Sequence, residues 1–135
     1  MNVAICIDDD YGMLFNSRRQ SRDRILIEDF MKSAENNKVF IRSFSEKLFA
    51  EQNVTVNDMC LDEAGENDFC FIEDENLIPY SSEIKTLIIY RWNRKYPADF
   101  VFEMPEGFVL AETTEFQGSS HERITKEIYK NEKEK

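Results

Sequence analysis

Residues 85–130 read KTLIIYRWNRKYPADFVFEMPEGFVLAETTEFQGSSHERITKEIYK, and the order of elements in this stretch decides the fold. KTLIIYRWN (85–93) is dense in β-branched and aromatic residues and reads as a long strand. DFVFEM (99–104) and GFVLAETTEF (107–116) read as two further strands. The last segment, ERITKEIYK (122–130), fits two patterns. Ile124 and Ile128 suit a helix at i, i+4, whereas Thr125, Glu127 and Tyr129 alternate with Ile124, Lys126 and Ile128 as in a strand. We read 123–130 as a strand. Strands that follow one another without a helix between them pair antiparallel, so the chain should end in a hairpin at one edge of a sheet.

The first half has a different rhythm. NVAICI (2–7) is a continuous apolar run without alternation, as expected of a strand covered on both faces. A helix starting near Ser21 or Asp23 carries Leu26, Ile27, Phe30, Met31 and Ala34 at helical spacing and ends at Asn36 and Asn37. KVFIRS (38–43) is a strand. Ser43 and Glu46 form a capping-box pattern for a helix over 44–51. NVTV (53–56) is a short strand, Asn57 caps a turn of helix that stops at Gly65, and DFCFI (68–72) is another strand. ENLIPYSSE (75–83) reads as a loop, as does the whole of DDDYGMLFNSRRQSRD (8–23). Helices alternate with strands early and strands run together late, which places the chain in the α/β class with a mostly parallel sheet.

The 135 residues contain 41% hydrophobic and 13% aromatic side chains, with eleven Phe against four Gly and three Pro, so the composition is that of a folded chain. A chain of this length buries roughly two thirds of its unfolded surface in one core. We expect one domain over 1–130, with NEKEK (131–135) as a solvated tail. Cys6, Cys60 and Cys70 are odd in number and form no C-x-x-C, which excludes a disulfide framework or zinc ribbon and suits reduced thiols in the cytoplasm. Asp8, Asp9 and Asp10 cut short the first apolar run, so it does not read as a signal peptide, and no run reaches the length of a membrane span.

The order of elements resembles that of the dihydrofolate reductases. KTLIIYRWNRKYPADFVFEM, GFVLAETTEF, QGSSH and ERITKEIYK follow in the sequence expected of the end of that fold. The opening strand, the Gly-containing loop, the helix with its DF-MK and KVFIRSFSEKLF resemble its beginning. The resemblance implies a three-layer α/β architecture: a mostly parallel central sheet, an antiparallel C-terminal hairpin and two to three helices. The motifs that carry the reductase chemistry are absent. FNSRRQS stands where the mobile-loop Leu-Pro-Trp belongs. Arg42 and Ser43 replace the Gly-Arg before the second helix, and only Ser45 is available for the Thr. FIEDEN, with Glu73, Asp74 and Glu75, replaces the Gly-Gly at which the cofactor phosphates approach. A pyrophosphate needs backbone donors, not carboxylates, so standard NADPH use is disfavoured. The resemblance matches Asp23 to the carboxylate that holds the pterin, while a helix cap is the plainer role for an Asp at that place. The chain also resembles short bacterial proteins that go under the name ribonuclease Z. That name implies a two-zinc nuclease, which needs several histidines, and His121 is the only one here.

Such a fold would pack the loop 8–23 against the loop QGSSHE (117–122), at the strand ends where α/β sheets bind ligands. The candidate ligand-binding residues are Asp9, Asn16, Arg18, Arg19, Arg22, Ser119, Ser120, His121 and Glu122, with Asp8 and Asp10 beside them. Arginines and serines at a helix start suit a phosphate or carboxylate. His121 beside an acid suits a general base, which makes Asp23 and His121 the catalytic candidates. The plain alternative is that the acids and arginines pair and order the loop. Three consecutive Asp point in opposite directions and do not converge on a metal, so no metal site is expected. Ser119 has no nucleophile-elbow motif around it. The net charge of -10 opposes nucleic acid and anionic membranes. Aromatics and cations interleave in YRWNRKY (90–96), yet they read as core aromatics and surface cations. Two functions remain: a small anionic ligand bound at the loop rim, or an acidic interaction or inhibitor module of the immunity type that masks a basic protein.

Overall fold

The computed structural model describes residues 1–132. NVAICI forms β1 (Asn2–Ile7), with Val3, Ile5 and Ile7 in one core and Ala4 and Cys6 in the other. This two-sided burial explains why the strand shows no polar alternation. The helix α1 (Arg24–Ser33) starts at Asp23, whose side chain accepts from the amides of Ile25 and Leu26. It buries Leu26, Ile27 and Phe30, and Phe30 meets Phe49, Phe69 and Phe71 edge-on at ring distances of 5.2–6.3 Å. Truncating such a ring to alanine costs about 3–5 kcal/mol.

The next strands are β4 (Val39–Ile41), the two-residue β5 (Thr55–Val56) and β6 (Phe69–Phe71). A four-residue helix, α2 (Cys60–Glu63), lies between β5 and β6, and Asn57 Oδ1 caps the amide of Met59 at 2.8 Å on the way into it. The C-terminal strands are β7 (Thr86–Arg91), β9 (Phe108–Phe116) and β10 (Ile124–Asn131). Together they form a seven-stranded sheet of order β5-β4-β6-β1-β7-β10-β9. All pairs are parallel as far as β7, and β10 then runs antiparallel to both β7 and β9. This is the mostly parallel sheet with a C-terminal antiparallel hairpin that the sequence order implied, and the stretch read as a strand over 123–130 is one from Ile124 to Asn131.

Several local readings need correction. The stretch 8–23 is not all loop. It contains the hairpin of β2 (Gly12–Phe15) and β3 (Arg18–Arg19), turning at Asn16 and Ser17 with φ of 52° and 59°. Positive φ at both central residues is the hairpin turn that matches strand twist, and Asn accepts it readily. β2 also pairs with β8 (Phe100–Val101), so DFVFEM joins a separate three-stranded sheet of order β3-β2-β8. The capping-box helix over 44–51 shrinks to a 3-10 turn at Ser43–Ser45, because the Ser43 hydroxyl donates to Asp58 and does not cap the backbone of its own turn. Residues Ile78–Glu83, read as loop, form a 3-10 helix with Pro79 in its first turn. The stretch read as tail begins too early. Asn131 closes β10, is buried, and donates to the carbonyls of Ser81 and Ile84 at 3.1 and 3.0 Å. The remainder of that stretch, 133–135, lies outside the described residues.

Two apolar layers sandwich the sheet. α1, Phe49 and Trp92 cover one face, while α2, Leu77, Ile84, Met13 and Leu14 of the small sheet, and Phe102 just beyond it cover the other. Because β10 is antiparallel to β7, the loop 117–123 emerges at the same end as the carboxyl ends of β1 and β7. That end also carries the start of α1.

Candidate functional site

Asp23 is the centre of this end. As N-cap it accepts from the amides of Ile25 and Leu26 at 3.0 and 3.3 Å. From the loop between β9 and β10 it accepts the Ser119 amide and hydroxyl (2.9 and 3.1 Å), the Ser120 amide (2.8 Å) and His121 Nδ1 (2.9 Å). A Cβ at Gly118 would collide with the same carboxylate, so glycine lets the loop close down on Asp23. Burial pushes the Asp23 carboxyl up. The bonds from His121, Ser119, Ser120 and Leu26 outweigh it and hold the group well below the usual carboxylate range. An ionised carboxylate can only accept, so Nδ1 of His121 carries the hydrogen.

His121 is 5% exposed and stacks on Trp92, with ring centroids 4.5 Å apart and planes at 27°. Its other nitrogen, Nε2, faces two hydroxyls: Ser21 Oγ at 3.0 Å and Tyr96 Oη at 3.2 Å. Tyr96 is set by a second carboxylate. Asp8 accepts the amides of Asp10 (2.9 Å), Gly12 (2.7 Å) and Tyr96 (3.1 Å), and the side-chain amide of Gln20 (3.0 Å). Burial raises the Asp8 carboxyl, but the bonds from Gly12, Tyr96, Asp10 and Gln20 bring it below its ordinary value.

The rim residues divide into groups. Asp23, Ser119, Ser120 and His121 converge. Arg22 joins Asp23, Ser119 and Ser120 along a groove of about 460 Å³, together with Arg24, Lys47 and Glu51. Asn16 and Arg18 line a different groove of about 570 Å³ with Phe15 and Tyr96. Asp9 is exposed and contributes its backbone amide to Arg94 O, Asp10 pairs with Lys95 in solvent, and Glu122 is exposed. Arg19 turns inward. Its guanidinium makes two 2.8 Å bonds to Glu73, and Ser45 Oγ donates to the same carboxylate at 2.7 Å. Beside it Arg42 pairs with Asp74 at 3.0 Å. Sequence reasoning missed Ser21, Trp92 and Tyr96. Ser21 sits two residues before the cap, which marks it as local to Asp23, but nothing in the chain signals that Trp92 and Tyr96 reach the same histidine.

The fold is that of dihydrofolate reductase. A dihydrofolate reductase from Enterococcus faecalis, complexed with NADP(H) and RAB-propyl, superposes with a TM-score of 0.69 over 96% of this chain and 95% of that chain, at 9% sequence identity. No family model matches the sequence, and no curated protein matches it. On this reductase-like frame, the positions that the sequence resemblance assigns to cofactor phosphates carry Glu73 and Asp74, already engaged by Arg19, Ser45 and Arg42. A phosphate arriving there would meet carboxylates in place of open backbone amides, so these residues do not fit a dinucleotide. Among the described residues no three His, Cys, Asp or Glu side chains gather as a metal-holding group, and no helix is long and apolar enough to cross a membrane.

Proposed function

We propose that this chain binds a small anion in the groove beside the start of α1, without standard use of NADPH. One observation carries the reading: Arg22, Arg24 and Lys47 meet Ser119 and Ser120 along a single groove of about 460 Å³. Arg24 is partnered by Glu28 at 2.7 Å, whereas Arg22 and Lys47 have no ion pair among the described residues. Two uncommitted cations beside serine hydroxyls suit a phosphate or carboxylate group. Asp23 itself is shielded, since its oxygens are filled by six donors. The test is calorimetric titration with inorganic phosphate and with phosphorylated and carboxylated metabolites. Binding that weakens tenfold or more in Arg22→Ala/Lys47→Ala supports the reading, and equal affinity in the double variant overturns it.

A second reading, an acidic module that masks a basic protein, is supported by β9. This edge strand is exposed from Val109 to Glu115 and presents Glu112 and Glu115 beside Val109 and Leu110, which are 51% and 49% exposed. Open backbone donors and acceptors on an acidic edge suit an added basic strand. Capture of a basic partner that is lost at high salt and in Glu112→Lys supports it.

A further inference from the structure

The groove does not include a buried polar group at this end of the molecule, the His121 imidazole. Nδ1 donates to Asp23, which leaves Nε2 as an acceptor in the neutral ring. Ser21 Oγ lies 3.0 Å from Nε2, and Asp23 Oδ2 lies 2.9 Å from Nδ1. A hydroxyl, an imidazole and an ionised carboxylate within hydrogen-bond reach, in that order, form a nucleophile, a base and the group that orients the base. The imidazole stacks on Trp92 and is bonded to Asp23 through Nδ1, so its ring plane is fixed. Ser21 itself is half-buried and lines two small cavities of about 10 Å³ each, beside Cys6 and Trp92.

Hydrogen counting gives a second, independent indication. Nε2 has one lone pair and faces two hydroxyls, Ser21 Oγ at 3.0 Å and Tyr96 Oη at 3.2 Å. Neither hydroxyl has another partner among the described residues. When Ser21 donates to Nε2, the Tyr96 hydrogen has no acceptor at the ring and can donate to a ligand oxygen. Tyr96 also lines the groove of about 570 Å³ that holds Phe15, Asn16 and Arg18.

We propose that Ser21, His121 and Asp23 form an acyl-transfer relay that hydrolyses small carboxylic esters, with the Tyr96 hydroxyl donating to the oxyanion. Ser21 Oγ forms a bond to the ester carbonyl carbon as its proton passes to His121 Nε2. The carbonyl π pair moves onto oxygen, where Tyr96 Oη donates to it. The C–O bond to the alcohol then breaks, and the leaving oxygen takes the proton from Nε2. Water repeats the sequence on the acyl-Ser21: its proton goes to Nε2, its oxygen bonds to carbon, and Ser21 Oγ leaves with that proton. The products are a carboxylic acid and an alcohol, with no net redox change. Ser21 and His121 are the catalytic residues, and Asp23 is a positioning residue acting through His121. This assignment is independent of anion binding in the Arg22 groove.

The experiment is labelling of the full chain with an alkyl fluorophosphonate, read by mass spectrometry of the peptides, alongside turnover of p-nitrophenyl butyrate. The relay requires one adduct per chain on Ser21, absent in Ser21→Ala, which removes only a hydroxyl and should fold. His121→Gln should slow labelling about 100-fold, the lower end of what a positioned base contributes. Tyr96→Phe should slow the labelling without moving it from Ser21 and lower kcat about 100-fold, the lower end of what one oxyanion donor contributes. Asp23→Asn should lower kcat with KM unchanged in protein that still melts cooperatively. No adduct on the folded wild type, an adduct on Ser119 or Ser120, or a Ser21 adduct formed equally fast in His121→Gln would each overturn the proposal.

Discussion

Asp8 and Asp23 invite comparison because both are buried carboxylates held low by hydrogen bonds, at the end of β1 and the start of α1. Asp8 gathers amides from Asp10, Gly12 and Tyr96 and the amide group of Gln20, none of which can exchange a proton near neutral pH. Asp23 gathers amides too, but its sixth bond is to an imidazole whose far nitrogen touches two hydroxyls. The same physical device, a carboxylate saturated by donors, therefore ties a loop in one place and orients an imidazole in the other. What separates them is one titratable partner. The two are also linked, since Asp8 fixes the backbone of Tyr96 and Asp23 fixes the ring that the Tyr96 hydroxyl reaches.

Removing each carboxylate should expose this difference. Asp23→Ala withdraws a helix cap and leaves the Ser119 and Ser120 amides and His121 without their acceptor. A loss of about 2–4 kcal/mol is expected in urea unfolding. Asp8→Ala leaves its donors nearer to water and should cost about 1–3 kcal/mol. If Asp8→Ala proves the more damaging, the ranking of the two hubs fails. Measured together, the two substitutions should be non-additive by about 0.5–1 kcal/mol, because Tyr96 is common to both. Strict additivity would show that the hubs are separate.

The pH dependence follows from the direction of both shifts. A carboxyl held below its unfolded value of about 3.9 contributes stability that is fully present above that pH. The contribution fades as pH falls toward the depressed folded value. Acid unfolding should therefore steepen below about pH 4, and Asp8→Asn or Asp23→Asn should each flatten the curve, Asp23→Asn by more. Smaller effects belong to ordinary ion pairs. Glu73→Gln weakens a half-buried pair with Arg19, by about 1 kcal/mol, and Arg24→Ala removes an exposed i, i+4 pair with Glu28, worth about 0.2–0.5 kcal/mol. Neither should alter the state of His121 as read by NMR.

The sequence by itself determined the class and order of the fold. The unbroken apolar β1 announced a strand covered on both faces, α1 declared its cap and its stripe, and the closely spaced late strands required antiparallel pairing. These signals are local, because periodicity and capping are written within a few residues. It also indicated that the loops around 8–23 and 117–122 meet, although only through resemblance to a known order of elements. The hairpin inside 8–23 escaped notice because β2 and β3 are four and two residues long and show no resolvable alternation. Only the tertiary structure decided which rim residues come together. Arg19 and Arg22 are three positions apart in a polar loop, yet one is spent on Glu73 and the other faces a groove. The contacts that define the His121 environment join residues 25 to 100 positions apart. Nothing within a window of sequence encodes such contacts, because they depend on where a parallel sheet brings the ends of its strands.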